Sequence, residues 1–594
     1  MNPFLVAHSE RRVSAKRTLT LRVGRLLLML LLAPAALADI TTSAITGHVT
    51  IQGAPAAGVT VTVESPALQA PRTTVTGPRG TYWLGALPPG VYDVTFALAG
   101  HTTMTRRTVA ELARVARSDA TLEPSEDEES VTTTATTANA TETTALTTHF
   151  DDEALDRLPL GRLGNTGLVP DPNSAAIPLV DGLPPFVTEL AAGDLVEQVT
   201  AIRGAAPAES LSFAGSALGI RTRQGRDEFF FSLRDTILND SGPRQLLEAT
   251  SGGRIVRDRL WFFGAGWDGQ SAFRSDIRGL NVKLHAQLGA AHHLDGSFTE
   301  SRRIADHRLF RSETRNLWLQ HTAVAGPHFT WETQVARASL DAELLTSRAS
   351  YVAPTRHGDH VLTAGFTRWT NLSDLRAFFV SDRWSYSRWT VNAGVRHEEN
   401  AGHGELLPRL SVTYDLRDNG RHALAASYGE YPSYDPGVPS LRMATLGYGM
   451  AIGTSGAVRI DVLRRNAGHD PIHSVQLDTR YRLFDRFEAG VTYSYEQDQP
   501  FRSHHGNLWL SMELPLGDQE IGVTLLQRRL DLYNPSTGTN SPASSYPTDL
   551  ALRYTIPLPH FRLTLATDIT NALNYGTAPL NLPRELRFWL RARL

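Results

Sequence analysis

The chain has 594 residues, no cysteine, and 58 basic against 61 acidic side chains. The missing cysteine excludes a disulfide framework, a thiolate nucleophile and a Cys-type zinc site. The formal charge is −3, and taking away a leader with six basic residues and one acidic residue leaves −8, which argues against a general nucleic-acid binder.

Arg11, Arg12, Lys16, Arg17, Arg22 and Arg25 precede the apolar run Leu26–Ala33 and then Ala36-Leu37-Ala38. A charged region, a short apolar region and small residues at the end predict a cleavable signal peptide over 1–38. The apolar run is too short for a stable helical span, and no run of 18 apolar residues follows it.

Residues 44–122 are strand-rich and cut by turn residues: Gly53, Pro55 and Gly58, then Gly77-Pro78 with Gly80, then Pro88-Pro89-Gly90. Val59, Val61 and Val63 alternate with threonines, and Val91, Val94, Phe96 and Leu98 follow the third turn. This spacing predicts a small seven-stranded β-sandwich. The unit resembles the carboxypeptidase-regulatory-like domain through G-x-V at 47–49, GVTVTV at 58–63, T-x-x-x-G-x-Y at 76–82 and P-G-x-Y at 89–92. That resemblance implies a non-catalytic module, and no HExxH occurs anywhere in the chain.

Residues 123–149 form a linker, acidic at PSEDEES (124–130) and Thr/Ala-rich over 131–148. Such a tract has too little apolar bulk to pack a core. Within it, DEESVTTTAT resembles the TonB box that precedes the plug of TonB-dependent receptors. The resemblance implies that Ser130, Val131, Thr132 and Thr133 add as a strand to a TonB-type energy-coupling protein.

Residues 150–225 resemble a reduced plug domain. Three fragments carry this: Val180-Asp181-Gly182-Leu183-Pro184; the run 194–209 with Arg203 and Gly204; and ALGIRTRQG (217–225) with Thr222 and Gly225. Residues 160–180 stand in place of much of a full plug's first half.

From 226 to 594 the chain is a series of roughly ten-residue stretches that alternate apolar with polar residues. In HGNLWLSMELPL (505–516), Leu508, Leu510, Met512, Leu514 and Leu516 would face one way, and Trp509, Ser511 and Glu513 the other. FRLTLATDI (561–569) sets Phe561, Leu563, Leu565 and Ile569 against Arg562, Thr564 and Asp568. A long series of such segments behind a signal peptide predicts a transmembrane antiparallel barrel of about 20–22 strands, apolar toward lipid and polar toward its lumen. The stretch 252–264 resembles the first barrel hairpin of Oar-like TonB-dependent receptors, and the chain end resembles their last strand pair. Nine of the ten tryptophans lie in this half, where they are expected in interfacial girdles or in structural packing, with some lining the lumen as the alternation places Trp509.

Pairs such as His292-His293 and His504-His505, and the group His357, Asp359 and His360, fall at expected turns and lack structural-zinc spacing. There is no G-x-S-x-G, P-loop or dinucleotide fingerprint. The expected fold is therefore all-β: sandwich, short plug, barrel. The expected function is a non-enzymatic TonB-dependent receptor or transporter of the outer membrane, with no cofactor or metal. Its expected partners are outer-membrane lipid, a TonB-type protein and an extracellular ligand that the sequence does not name. The alternative is a barrel without TonB coupling, acting as a passive channel or a surface-attachment protein.

Overall fold

The computed structural model describes most of residues 43–594. Residues 1–42, 133–145, 160–176, 182–193, 209–215, 534–542 and 573–584, with shorter stretches such as 125–129 and 204–207, lie outside the description. The leader expected at 1–38, together with Thr133, Gly182 and Gly204, therefore falls outside the described residues.

The N-terminal unit packs two five-stranded sheets face to face. In the first, Ser43–Ile51 pairs antiparallel with Thr81–Leu87 and with Ala54–Pro55. It also pairs parallel with Val115–Arg117 and Ala120–Leu122. The second orders Thr103–Ala110, Gly90–Ala97, Thr60–Glu64 and Arg72–Val75. The valine–threonine alternation now has its reason. Val59, Val61, Val63, Val94 and Phe96 are fully buried with Ile45, Val49 and Leu87 between the sheets. Each such side chain contributes on the order of 1.5–3 kcal/mol.

Apart from the two-residue strand Ala54–Pro55, the expectation of seven strands was too low for two reasons. The returning chain breaks at Ser118-Asp119 into two short strands, because both residues turn their polar groups onto the first sheet: the His48 amide donates to Asp119 (2.8 Å), and the hydroxyl of Tyr82, on Thr81–Leu87, to the Ser118 carbonyl (2.6 Å). Gly47 allows this approach, since a Cβ there would lie 2.1 Å from the Ser118 carbonyl oxygen. The second reason is Ser130–Thr132, which joins the second sheet from the linker. Tyr92 of the P-G-x-Y turn is fully buried, and burial pushes its phenol above the ordinary range.

Strands from Phe230–Asn239 to Glu585–Arg593 close into an antiparallel barrel, the last pairing with the first over Ser232↔Arg593 to Asn239↔Leu586. Ala543–Ser545 and Thr548–Pro557 both lie against Gln519–Tyr533 and make one interrupted strand, so the described residues form 22 strands. Period-two burial sorts the two faces. Leu508, Leu510, Met512 and Leu514 are 38–45% exposed, whereas Trp509 and Ser511 are 2% and 4% exposed. Leu565 is likewise exposed and Asp568 buried.

Of the places expected for the tryptophans, buried packing prevails over an exposed girdle. Trp261, Trp267, Trp318, Trp509 and Trp589 are buried and only Trp389 of the nine is strongly exposed. Two of them lie over glycines of the neighbouring strand. A Cβ on Gly279 would be 2.4 Å from Trp267, and one on Gly490 would be 2.0 Å from Trp509. The histidine pair 504–505 also differs from expectation, since it lies within the strand Phe501–Leu516, where His504 meets the Tyr493 hydroxyl at 2.7 Å.

The sandwich rests on the barrel end that carries the short links 257–259, 288–291, 326–328 and 356–357. Arg79 bonds the Thr355 carbonyl and Asp359, and Arg383 stands 5.8 Å over the Trp83 ring. A cavity of about 970 Å³ separates the strands around Arg72 and Trp83 from the links around Arg259, Leu288 and Gly326.

Candidate functional site

A small four-stranded sheet occupies the lumen. Its order is Leu146–Phe150, Val196–Arg203, Ser216–Thr222 and Ile177–Val180; the last pairing is parallel and the others antiparallel. One helical turn and a half, Asp152–Arg157, follows the first strand. Phe150, Leu155, Val180, Val196, Val199, Leu218 and Ile220 form its apolar side, and that core is completed by Trp509 and Leu526 of the wall. A sheet this small cannot bury its own apolar face, so the barrel supplies the missing layer.

Leu195 adds a second apolar contact, against Phe263 and Trp267 of the wall, and polar groups make many of the remaining contacts. Arg157 donates to Glu513 (2.8 Å) and lies 3.4 Å from Glu488, with the Arg157 and Glu488 side chains about 5% exposed. Asp156 pairs with Arg591, and Asp152 with Arg593 (3.2 Å). Asp194 receives Arg591 at 3.7 Å, and its amide donates to Glu248 at 3.0 Å. Glu488, Glu513, Arg591, Arg593 and Glu248 come from one arc of the wall that runs from Phe487–Asp498 through the closure to Pro243–Val256, so these contacts hold the sheet along that side.

Two of the residues singled out in the sequence meet directly. Asp181 sits just past Val180 with φ +48°, a left-handed conformation that Asp tolerates better than most residues. Its carboxylate accepts from the Thr222 amide (2.9 Å) and the Thr222 hydroxyl (2.5 Å). The same carboxylate pairs with Lys283 of the wall at 2.7 Å, both side chains being no more than 10% exposed. Lys283 also donates to the Thr222 carbonyl, and Gln334 to the Asp181 carbonyl, both at 3.3 Å. One carboxylate thus ties two strands of the inner sheet to the barrel.

Gly225 lies three residues beyond Thr222, where the chain passes from the inner sheet to the wall. A Cβ there would fall 2.4 Å from the Phe262 carbonyl oxygen, so only glycine fits this backbone-on-backbone approach. Arg203 ends its strand opposite Leu146 and Ser216. Sequence reading missed Lys283, Arg157, Asp194 and Arg591. Lys283 did carry a signal, because it is the one lysine after the leader in a chain whose other basic residues there are all arginine.

Ser130–Thr132 does not extend toward open space. It pairs parallel with the sandwich strand Thr103–Ala110, in the register Ser130↔Thr103, Val131↔Met104 and Thr132↔Thr105. At the barrel end remote from the sandwich, the links between strands are short. They run from two residues at 401–402 and 499–500 to fourteen at 571–584.

A closed 22-stranded barrel holding a mixed inner sheet, with a β-sandwich at one mouth, defines a class of outer-membrane-type barrel. Comparison with known proteins agrees for each part. Residues 44–123 match the carboxypeptidase regulatory-like domain. The TonB-dependent transporter Oar of Myxococcus xanthus is 27% identical over 317 residues, which are 42% of this chain and 30% of that protein. The chain therefore spans about a third of that relative's length. Among solved structures, the ferric preacinetobactin receptor of Acinetobacter baumannii superposes with a TM-score of 0.63 at 11% identity, covering 77% of this chain and 99% of that one. The ferric-catecholate import receptor of E. coli K12 gives 0.62 at 11% identity, covering 77% and 97%. This chain has the fold of those outer-membrane receptors.

Proposed function

We propose that this protein is a TonB-dependent receptor or transporter of the outer membrane, exported by its leader, with the sandwich in the periplasm and residues 150–225 acting as a reduced plug. The observation that carries the reading is the inner sheet itself. A passive pore has no use for a folded element across its lumen, held by a buried Asp181–Lys283 pair and by further ion pairs to the wall. The chemistry of that contact suits an element that must move. Buried ion pairs hold geometry well, and both partners regain water when the contact opens, so they add less net stability than an apolar contact of equal area. The names of the related proteins, a TonB-dependent transporter and ferric-siderophore receptors, point the same way.

On this reading Ser130, Val131, Thr132 and Thr133 form the TonB box. Added-strand recognition uses the backbone, so most side-chain changes there are tolerated while proline is not. Val131→Pro is expected to abolish energy-dependent uptake in a strain lacking the parent gene, with normal insertion in the membrane, and Val131→Ala to change it little. Uptake by the proline variant at the parental rate would remove the coupling.

One observation favours the second reading, a barrel without TonB coupling. Links of two to fourteen residues at the outer end leave little chain for a ligand-capturing surface. Conductance across a planar bilayer separates the two. The plugged receptor is closed under symmetric salt, and the passive channel conducts without any partner.

A further inference from the structure

The sandwich is built as two sheets, and the second has an edge at Thr103–Ala110. An edge strand presents unpaired amides and carbonyls that accept another extended segment. Here the accepted segment is Ser130–Thr132, the stretch assigned above to the TonB box, in a three-residue parallel register. From the pairing we infer that the sandwich edge is a docking site for the protein's own linker and that TonB must displace this segment before it can act on the barrel; the inference rests on the box reading given above.

Two physical points support exclusion rather than shared use. Successive residues of an edge strand point their backbone groups to alternate sides, so three docked residues leave only one or two facing outward, too few for a second strand to pair with. The second point is the path of force. The docked segment lies between the sandwich and Leu146–Phe150, the first strand of the inner sheet. While it stays paired to Thr103–Thr105, tension on it is borne by the sandwich sheet, whose fully buried core runs from Ile45 to Leu122. Only a released segment passes tension to the inner sheet through Leu146. A three-residue pairing is also weak enough to open, because each hydrogen bond lost is exchanged for one to water.

The cysteine-free chain allows a clean test. Thr103→Cys with Ser130→Cys places two thiols at directly opposed positions, which project to one face of the sheet. Val75→Cys with Ser130→Cys is the control, because Arg72–Val75 is the opposite edge of the same sheet. The full-length protein in detergent is oxidised, or treated with a short bismaleimide, and then offered to the purified periplasmic domain of TonB from the same source. The expected result is crosslinking of the first pair and not of the control, with capture of the TonB domain falling at least tenfold and, for the disulfide but not the bismaleimide link, returning on reduction. Absence of crosslinking above the control overturns the docking. Capture undiminished in the locked protein overturns the exclusion. Val131→Pro under reducing conditions then tells the two readings apart. If it loses capture, the box stands and only the docking inference has failed; if it captures TonB normally, the box assignment has failed as well.

Discussion

The sandwich and the inner sheet are both small β units, yet they are stabilised in opposite ways. The sandwich closes on itself: sixteen buried apolar residues from its own two sheets form one core, and its contact with the barrel is limited to a few groups such as Arg79 with Asp359. The inner sheet has a core that is incomplete without Trp509 and Leu526, Leu195 packs against Phe263 and Trp267, and buried ion pairs make much of the remaining contact with the wall. The difference teaches that the inner sheet is a conditional fold. It exists because the barrel encloses it, and a change at the wall reaches it at once. The sandwich should be indifferent to the same change.

Separation is the most drastic way to break this comparison. Expressed alone, residues 43–124 are expected to melt cooperatively in near-ultraviolet circular dichroism, and residues 146–223 to show no fixed tertiary signal, since a sheet with half a core does not hold together in water. A cooperative transition in the second fragment would overturn the claim that its core is borrowed.

Point substitutions sharpen it. Lys283→Met leaves the Asp181 carboxylate buried without its partner, and removing one member of such a pair costs about 3–5 kcal/mol. The inner sheet should become protease-sensitive in intact membranes while the sandwich keeps its transition. Leu87→Ala is the converse, with about 2–5 kcal/mol lost from the sandwich core and inner-sheet protection unchanged. If either substitution loosens both units together, the two are one cooperative body.

A smaller effect is expected at the joint. Gly225→Ala forces a methyl group against the Phe262 backbone, for about 1–3 kcal/mol of strain. Hydrogen exchange should rise at Ser216–Thr222 more than at Thr60–Glu64. Equal exchange at both would place the close approach outside the docking of the inner sheet.

Much of this was open to reading in the residues. The alternation over 505–516 assigns each side chain to lipid or lumen before any fold is known, because strand geometry imposes period two locally. The Gly-Pro turns and the Val–Thr alternation of 44–122 likewise give a sandwich. Asp181, Thr222 and Gly225 could be singled out by their pattern. Their reasons could not: one turns at positive φ to present its carboxylate, one donates its amide and hydroxyl to that carboxylate, and one admits a carbonyl 2.4 Å from where its Cβ would be.

The tryptophans show the limit of local patterning. Trp267 and Trp589 alternate as barrel residues should, yet only closure of 22 strands around an inner sheet makes the lumen side the buried one for them. Lys283 stood out in composition as an unusual residue, but its partner lies 102 residues earlier in the chain, and no spacing rule joins them. The same holds for Arg157 with Glu488 and for Ser130–Thr132 with the sandwich edge. The sequence by itself determined strand, turn, face and the order of units, because those follow from neighbours a few residues apart. The tertiary structure alone decided which charges meet, which core is shared and where the linker docks, because those contacts join segments that only the closed barrel and the folded sandwich bring together.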